Sequence, residues 1–236
     1  LGPQARELAL DRLARQRFDV VVIGGGVTGA GVALDAATRG LSVAAVEQRD
    51  WASGTSSRSS KLIHGGLRYL EQLDFALVLE AKREQALMLE HLCPHLVRPV
   101  PFLYPLTHRV WERAYVGAGV LLYDVMTRHR DLPRHRHLGR RRALETFPSL
   151  RGSGLTGAIL YYDAQVDDAR HTLALARTAA QHGAILASSA RVEDFLMTGN
   201  RVTGVRVRCL ESGREIAVRA RQVVNATGVW TDRVQA

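Results

Sequence analysis

The sequence predicts an α/β fold: a parallel sheet opened by a βαβ unit, with a late group of short strands. Three observations predict it. Phe18-Asp19-Val20-Val21-Val22-Ile23 is a β-branched apolar run that stops at three glycines, the pattern of a buried parallel strand. Residues 27–39 are rich in small side chains and read as a helix stopped by Gly40, and 41–46 form a second apolar strand ending at Glu47. Near the C-terminus the β-like runs 184–189, 191–197, 201–210 and 214–220 are spaced by the turn signals Gly199-Asn200 and Ser212-Gly213.

The remaining elements come in chain order. Residues 4–16 read as a short helix with basic flanks. The Ser/Thr/Gly-rich stretch 50–66 reads as a loop entering a helix. Residues 74–92 form a strong helical pattern: Asp74 caps it, and Phe75, Val78, Leu79, Ala86, Leu89 and Leu92 read as one core stripe. Pro94, Pro99, Pro101 and Pro105 allow at most an edge strand in the stretch they punctuate. Residues 111–126 read as a helix, 127–142 as an arginine-rich connector, and 167–182 as a helix ended by Gly183. Val223-Val224 leads into the strand-to-turn junction Asn225-Ala226-Thr227-Gly228.

Composition removes several classes. With 236 residues and 46% hydrophobic side chains, a chain of this size buries about 72% of its unfolded surface, so it is neither disordered nor a disulfide-held miniprotein. Cys93 and Cys209 form no CxxC pair, which fits a reducing compartment and speaks against a zinc cluster; no metal site is expected. No apolar run approaches the length of roughly 18 residues or more that a bilayer-spanning helix needs, so no transmembrane helix is predicted. The N-terminus has no signal-peptide core, and a chain that does not begin with Met is read as incomplete or processed.

The net charge of +9 is concentrated: residues 127–142 hold seven arginines (128, 130, 134, 136, 140, 141 and 142) against one acid, Asp131. Local basicity without stacking aromatics argues against nucleic acid. Two readings remain for the connector, a solvated loop and a contact with an anionic membrane surface. His135 and His137 lie within it without acidic or cysteine partners in the sequence, so they read as solvated rather than metal-binding.

Gly24-x-Gly26-x-x-Gly29 sits between the first strand and the first helix of the βαβ unit. There Gly24 serves the tight turn, Gly26 the approach of a pyrophosphate to bare backbone, and Gly29 close packing of helix on strand. Val27 and Thr28 begin the helix whose N–H groups face the phosphates. Glu47, at the end of the second strand, is placed to accept from ribose hydroxyls and disfavours a 2′-phosphate. The fingerprint indicates a dinucleotide but does not choose between FAD and NAD. The segment after it favours FAD: Thr55, Ser56, Ser59, Lys61 and His64, followed by Gly65-Gly66, combine hydroxyls, a cation and a flat glycine surface suited to a ribityl chain and ring.

Here the sequence resembles a family. Residues 23–40, the run Ser59-Ser60-Lys61-Leu62-Ile63-His64-Gly65-Gly66-Leu67-Arg68-Tyr69-Leu70, Asp163-x-x-Val166-Asp167-Asp168-Ala169-Arg170 and Val224-Asn225-Ala226-Thr227-Gly228-x-Trp230 are similar, in order, to four motifs of the FAD-dependent glycerol-3-phosphate dehydrogenases. The resemblance implies an FAD/NAD(P)-binding Rossmann-like fold of the glutathione-reductase type with part of an interleaved substrate domain, truncated to the N-terminal half. It divides the chain into an N-terminal extension, 1–17, and an oxidoreductase domain, 18–236. In that domain, about 18–75 and 160–236 bind FAD and about 76–160 are inserted.

It also implies oxidation of sn-glycerol 3-phosphate to dihydroxyacetone phosphate, with electrons passing through FAD to a quinone. Arg68 and Tyr69 are the substrate-binding pair, arginine being the best bidentate partner for phosphate. The remaining cofactor contacts are Thr227, Gly228 and, through its backbone, Val192. The catalytic base is expected beyond Ala236; His64 reads as a base, a flavin contact or a packed histidine. Asp167 and Asp168 read as an acid pair or, preferably, as helix N-caps. The expected location is cytoplasmic or peripheral on the inner face of the cell membrane, and a homo-oligomer is left open. The competing readings are an oxidase of glycerol 3-phosphate or an amino acid that uses O2, and a non-catalytic FAD-binding fragment.

Overall fold

The computed structural model describes residues 2–64, 72, 74–108, 110–126 and 132–235. They divide into two compact units, 1–60 with 167–236 and, inserted between them, 61–166.

The first unit opens with helix α1 (Pro3–Arg15), whose Ala9, Leu10 and Leu13 are buried, so this basic helix is part of the core rather than an appendage. Strand β1 (Arg17–Ile23), helix α2 (Val27–Thr38) and strand β2 (Val43–Val46) form the βαβ start. After the insert come helix α6 (Asp168–Gln181) and strands β7 (Ile185–Ala187), β8 (Ala190–Thr198), β9 (Arg201–Cys209) and β10 (Glu215–Asn225), then the short helix α7 (Thr231–Gln235). The sheet order is β7-β2-β1-β10-β9-β8. Its first four strands are parallel, and β10 turns antiparallel to β9, which pairs antiparallel with β8.

Alternation explains the layers, since successive strand residues point to opposite faces. Val21, Ile23, Ala44 and Val46 join α1 in one core. Val22, Val43 and Ala45 join Ala30, Ala33, Ala36 and Ala37 of α2 and Ala176 and Ala179 of α6 in the other. Alanines on both helices keep them close to each other and to the sheet.

The inserted unit is a small antiparallel sheet. Its centre is strand β6 (Gly157–Val166), paired along its length with β4 (Val97–Leu106) and on its other side with β3 (Leu62–Ile63) at one end and β5 (Arg136–Gly139) at the other. Among the described residues β4 is an edge. Pro99, Pro101 and Pro105 share one parity, so the N–H groups they lack belong to its open side. Helices α3 (Phe75–Leu87), α4 (Trp111–Met126) and α5 (Arg140–Thr146) complete the unit.

Two expectations need correction here. The apolar stripe of α3 is its core face only in part: Val78 and Ala86 are buried, but Phe75 is 42% and Leu92 64% exposed, and Lys82 and Gln85 are buried beside Val78 and Ala86. Two long polar side chains face inward because partners wait for them there, and a π-helical turn over Met88–Leu92 shifts the register of the last residues. The arginine-rich connector is not a plain loop either, since it contains β5 and the first turn of α5. His135 has the acidic partner that its sequence neighbours do not supply: its Nδ1 lies 2.6 Å from Asp124 Oδ2 on α4.

Candidate functional site

Parallel pairing of Ile23 with Asn225 sets two turns side by side at the C-terminal ends of adjacent strands, the crevice where open α/β sheets bind ligands. The Ala226 N–H donates to the Ile23 carbonyl at 2.9 Å. A Cβ on Gly24, at φ +111°, would lie 2.6 Å from the Ala226 carbonyl oxygen, and one on Gly29 would overlap the Gly24 carbonyl oxygen. These two glycines therefore serve the fold directly. At Gly26 the nearest atom to a Cβ would be Ser56 Oγ at 3.3 Å, a side-chain atom that must give way slightly, and no backbone atom stands close.

The cleft so formed measures about 640 Å³, within the ~300–1,000 Å³ of small-molecule and cofactor sites. Gly24, Gly26, Val27, Thr28, Glu47, Thr55, Ser56, Val192, Thr227 and Gly228 all line it; Gly29 is buried behind it. Helix geometry leaves the first-turn N–H groups of α2 without intrahelical acceptors, and Ser56 Oγ accepts that of Val27 at 2.9 Å. Glu47 is held at both ends. Its N–H donates to the Ala187 carbonyl and its own carbonyl accepts from Ala190, while Oε2 accepts the Gly25 N–H at 2.6 Å and Oε1 that of Arg49 at 2.8 Å. Each carboxylate oxygen keeps a second lone pair for a sugar hydroxyl. At the opposite wall, Asn225 Oδ1 accepts from both the N–H and the hydroxyl of Thr227, which shapes the second turn.

The other candidate residues separate. Ser59 is not a wall of the cleft: its N–H and hydroxyl both donate to Asp168 Oδ2. The capping reading holds for Asp167, which accepts the Arg170 N–H at 3.0 Å at the start of α6, while Asp168 in the first turn accepts the Ala169 N–H with Oδ1 at 3.0 Å and the Ser59 groups with Oδ2. Lys61 and His64 are exposed in the inserted unit, Lys61 with a left-handed φ of 60°. Arg68 and Tyr69 lie outside the described residues. Sequence reasoning passed over Arg49, whose guanidinium stands 5.6 Å from the Trp230 ring centre at the cleft. It also passed over Asp168 as a loop anchor, although a second aspartate beside one sufficient cap was a signal.

Among the described residues no cluster of three or more metal-binding side chains occurs. The chemistry of the cleft is thus bare glycine backbone, helix-terminal N–H groups, hydroxyls, one carboxylate, the guanidinium groups of Arg49 and Arg191 and the Trp230 ring. Residues 19–236 match the model of the FAD dependent oxidoreductase family.

The chain belongs to the FAD dependent oxidoreductase family. Its cofactor is FAD, and a cleft of bare glycine backbone, a helix N-terminus and a carboxylate has the chemistry to take a dinucleotide. Among relatives in this family, a glycerol-3-phosphate dehydrogenase of Mycobacterium leprae is 59% identical over 236 residues, all of this chain and 40% of that protein. A mitochondrial glycerol-3-phosphate dehydrogenase of Homo sapiens is 46% identical over 247 aligned residues, 99% of this chain and 34% of that protein. The crystal structure of a glycerol-3-phosphate dehydrogenase from Bacillus halodurans with FAD superimposes with a TM-score of 0.75 at 32% identity, over 97% of this chain and 38% of that one. The chain thus spans less than half the length of each of these relatives. An L-proline dehydrogenase from P. horikoshii, at 24% identity and a TM-score of 0.71, shares the fold.

Proposed function

We propose that this chain is part of an enzyme that oxidises sn-glycerol 3-phosphate to dihydroxyacetone phosphate. The observation that carries the reading is 59% identity along the whole chain to a protein named for that activity. Bound FAD would supply the two-electron acceptor for the hydride leaving C2. The chain's own residues bind and orient it. The first turn of α2 and Ser56 take the pyrophosphate, Glu47 the ribose, and the Asn225–Gly228 turn the facing wall. Arg68 and Tyr69 are assigned to the substrate phosphate, because a guanidinium forks onto two phosphate oxygens. The test is the visible spectrum of the whole purified protein: flavin bands that bleach anaerobically with glycerol 3-phosphate support the reading, and bands that do not bleach refute it.

The final acceptor in this proposal is a membrane quinone, and the enzyme works on the inner face of the cell membrane. No described helix is long and apolar enough to cross a bilayer. A surface contact is supported by α4, where Trp111, Tyr115, Ala118, Leu121, Leu122 and Val125 fall on one outward arc, Trp111 61% and Val125 69% exposed. Arg134, Arg136, Arg140, Arg141 and Arg142 are exposed in the same unit. An apolar helix face with aromatic residues and nearby arginines suits the interface of an anionic leaflet. Faster anaerobic oxidation of the reduced enzyme by a ubiquinone analogue than aerobic oxidation by O2 supports the acceptor; the reverse order identifies an oxidase.

A further inference from the structure

The geometry points to a buried polar cluster of the inserted unit, Lys82, Gln85, Tyr123 and Asp163, as the device that positions the chain entering the substrate-binding segment at His64. This rests on the assignment of Arg68 and Tyr69 to substrate. All four side chains are buried, Lys82 at 2% exposure, and they come from three elements, α3, α4 and β6. Gln85 links them. Its carboxamide oxygen accepts from Lys82 Nζ at 3.0 Å, one N–H donates to Asp163 Oδ1 at 2.5 Å, and the amide nitrogen also donates to the Ile63 carbonyl. The amide is thereby used at both donors and its acceptor, which fixes which way it faces. Tyr123 donates its hydroxyl to Asp163 Oδ2 at 3.1 Å, and Lys82 Nζ lies 3.8 Å from Asp163 and 3.6 Å from the Tyr123 ring centre.

Such a cluster is a poor source of stability, because desolvating an ammonium and a carboxylate offsets most of their attraction. What it supplies is a fixed point. Strand β3 is only two residues long, paired as Leu62 with Gln165 and Ile63 with Ala164, so its ladder alone holds the chain weakly. The Gln85 clamp lands on Ile63, the last residue of that strand. His64 is next in the sequence, and Arg68 and Tyr69 come shortly after it. Burial also lowers the Lys82 pKa to about 8 despite the attraction of Asp163 and Asp124, in keeping with a charge held for its geometry. These four are positioning residues: they act through the Ile63 backbone and touch no reacting atom.

The test compares four variants of the whole flavoenzyme. Gln85→Met keeps the length of the side chain and removes its hydrogen bonds; Tyr123→Phe removes only one hydroxyl. Val78→Ala, on the same buried face of α3, controls for lost packing. Arg68→Ala tests the underlying assignment. Gln85→Met is expected to raise KM for glycerol 3-phosphate about tenfold with little change in kcat or flavin content, since small misplacements of binding groups cost this much or more. Tyr123→Phe should raise KM about threefold, as one hydrogen bond allows, and Val78→Ala should lower Tm without moving KM. If Arg68→Ala raises KM while the cluster variants leave it unmoved, the positioning role is overturned alone. If Gln85→Met does not fold, Tyr123→Phe decides, and an unmoved KM overturns the role. If Arg68→Ala leaves KM unmoved, the substrate assignment falls and this inference with it.

Discussion

Asp168 Oδ2 accepts both the backbone N–H of Ser59, at 3.1 Å, and its hydroxyl, at 2.6 Å. One carboxylate at the start of α6 thereby ties down the end of the serine-rich loop, which lies far from it in sequence. The same loop supplies Thr55 and Ser56 to the cleft between the two turns, so Asp168, which is not among that cleft's lining, anchors the chain that forms one of its walls.

Asp168→Ala should therefore loosen flavin without destroying the fold. Hydrogen bonds to a charged acceptor contribute roughly 1.5–3 kcal/mol, and the expected result is about a tenfold weaker FAD affinity. The flavin-to-protein ratio after dialysis, with far-ultraviolet circular dichroism as the fold control, measures this. A variant that retains flavin like the parent shows that the loop needs no anchor.

The glycines of the fingerprint should separate into two kinds. Gly29→Ala drives a methyl group into the Gly24 carbonyl, so the expected outcome is loss of soluble folded protein. Gly26→Val presses only on the Ser56 hydroxyl, a side chain that can shift, and should fold, yet lose FAD because the branched side chain occupies the path of the pyrophosphate. Expression of folded apoprotein for the second variant and not the first checks the distinction.

Lys82 makes stability depend on alkaline pH. Burial lowers its pKa in the folded state to about 8 from 10.5. Between those values the unfolded chain binds more protons than the folded one, so stability rises with pH across roughly 8 to 10.5. Cys93 and Tyr161, whose pKa values burial raises, act oppositely near the top of that window. Urea midpoints of the parent and Lys82→Met at pH 7.5, 9 and 10 isolate the lysine. The parent should gain on the variant as pH increases, and parallel curves would rule the effect out.

The proposed membrane contact predicts binding to anionic but not neutral vesicles, lost at high salt, because each arginine near an anionic leaflet contributes about 1 kcal/mol within a Debye length. Replacing Arg140, Arg141 and Arg142 together by Gln should weaken co-sedimentation with flavin content unchanged. Leu121→Gln with Val125→Gln should weaken it at every salt concentration, since that face contributes apolar burial. If neither variant differs from the parent, the contact lies on another surface.

Much of the site was legible because its rules are local. A tight turn after a strand, a close approach and a helix N-terminus each impose residue types within a few positions, so Gly24, Gly26, Gly29 and Glu47 announced a dinucleotide cleft within one short stretch of sequence. The core face of α3 was legible only in part. Its apolar periodicity pointed to Val78 and Ala86, which are buried, but also to Phe75, Leu79 and Leu92, which are exposed, while Lys82 and Gln85 turn inward because Asp163 and the Ile63 carbonyl, on two strands of the inserted sheet, receive them. The role of Asp168 was hidden for the same reason: a carboxylate at a helix start satisfies the local rule for a cap whether or not a distant serine needs it.

By itself, then, the sequence determined the βαβ start, the glycine turn and the family, since these arise from period, turn chemistry and short motifs; it did not show β6, the central strand of the inserted sheet. Only the tertiary structure decided that β10 pairs parallel with β1 and brings Ala226 and Thr227 against Gly24, that α1 belongs to the core, and that a lysine and a glutamine share the buried face of α3. Local pattern states what a segment can bury. Which polar partners reach it from distant parts of the sequence depends on the chain closing on itself, and buried polar groups are decided by partners rather than by propensity.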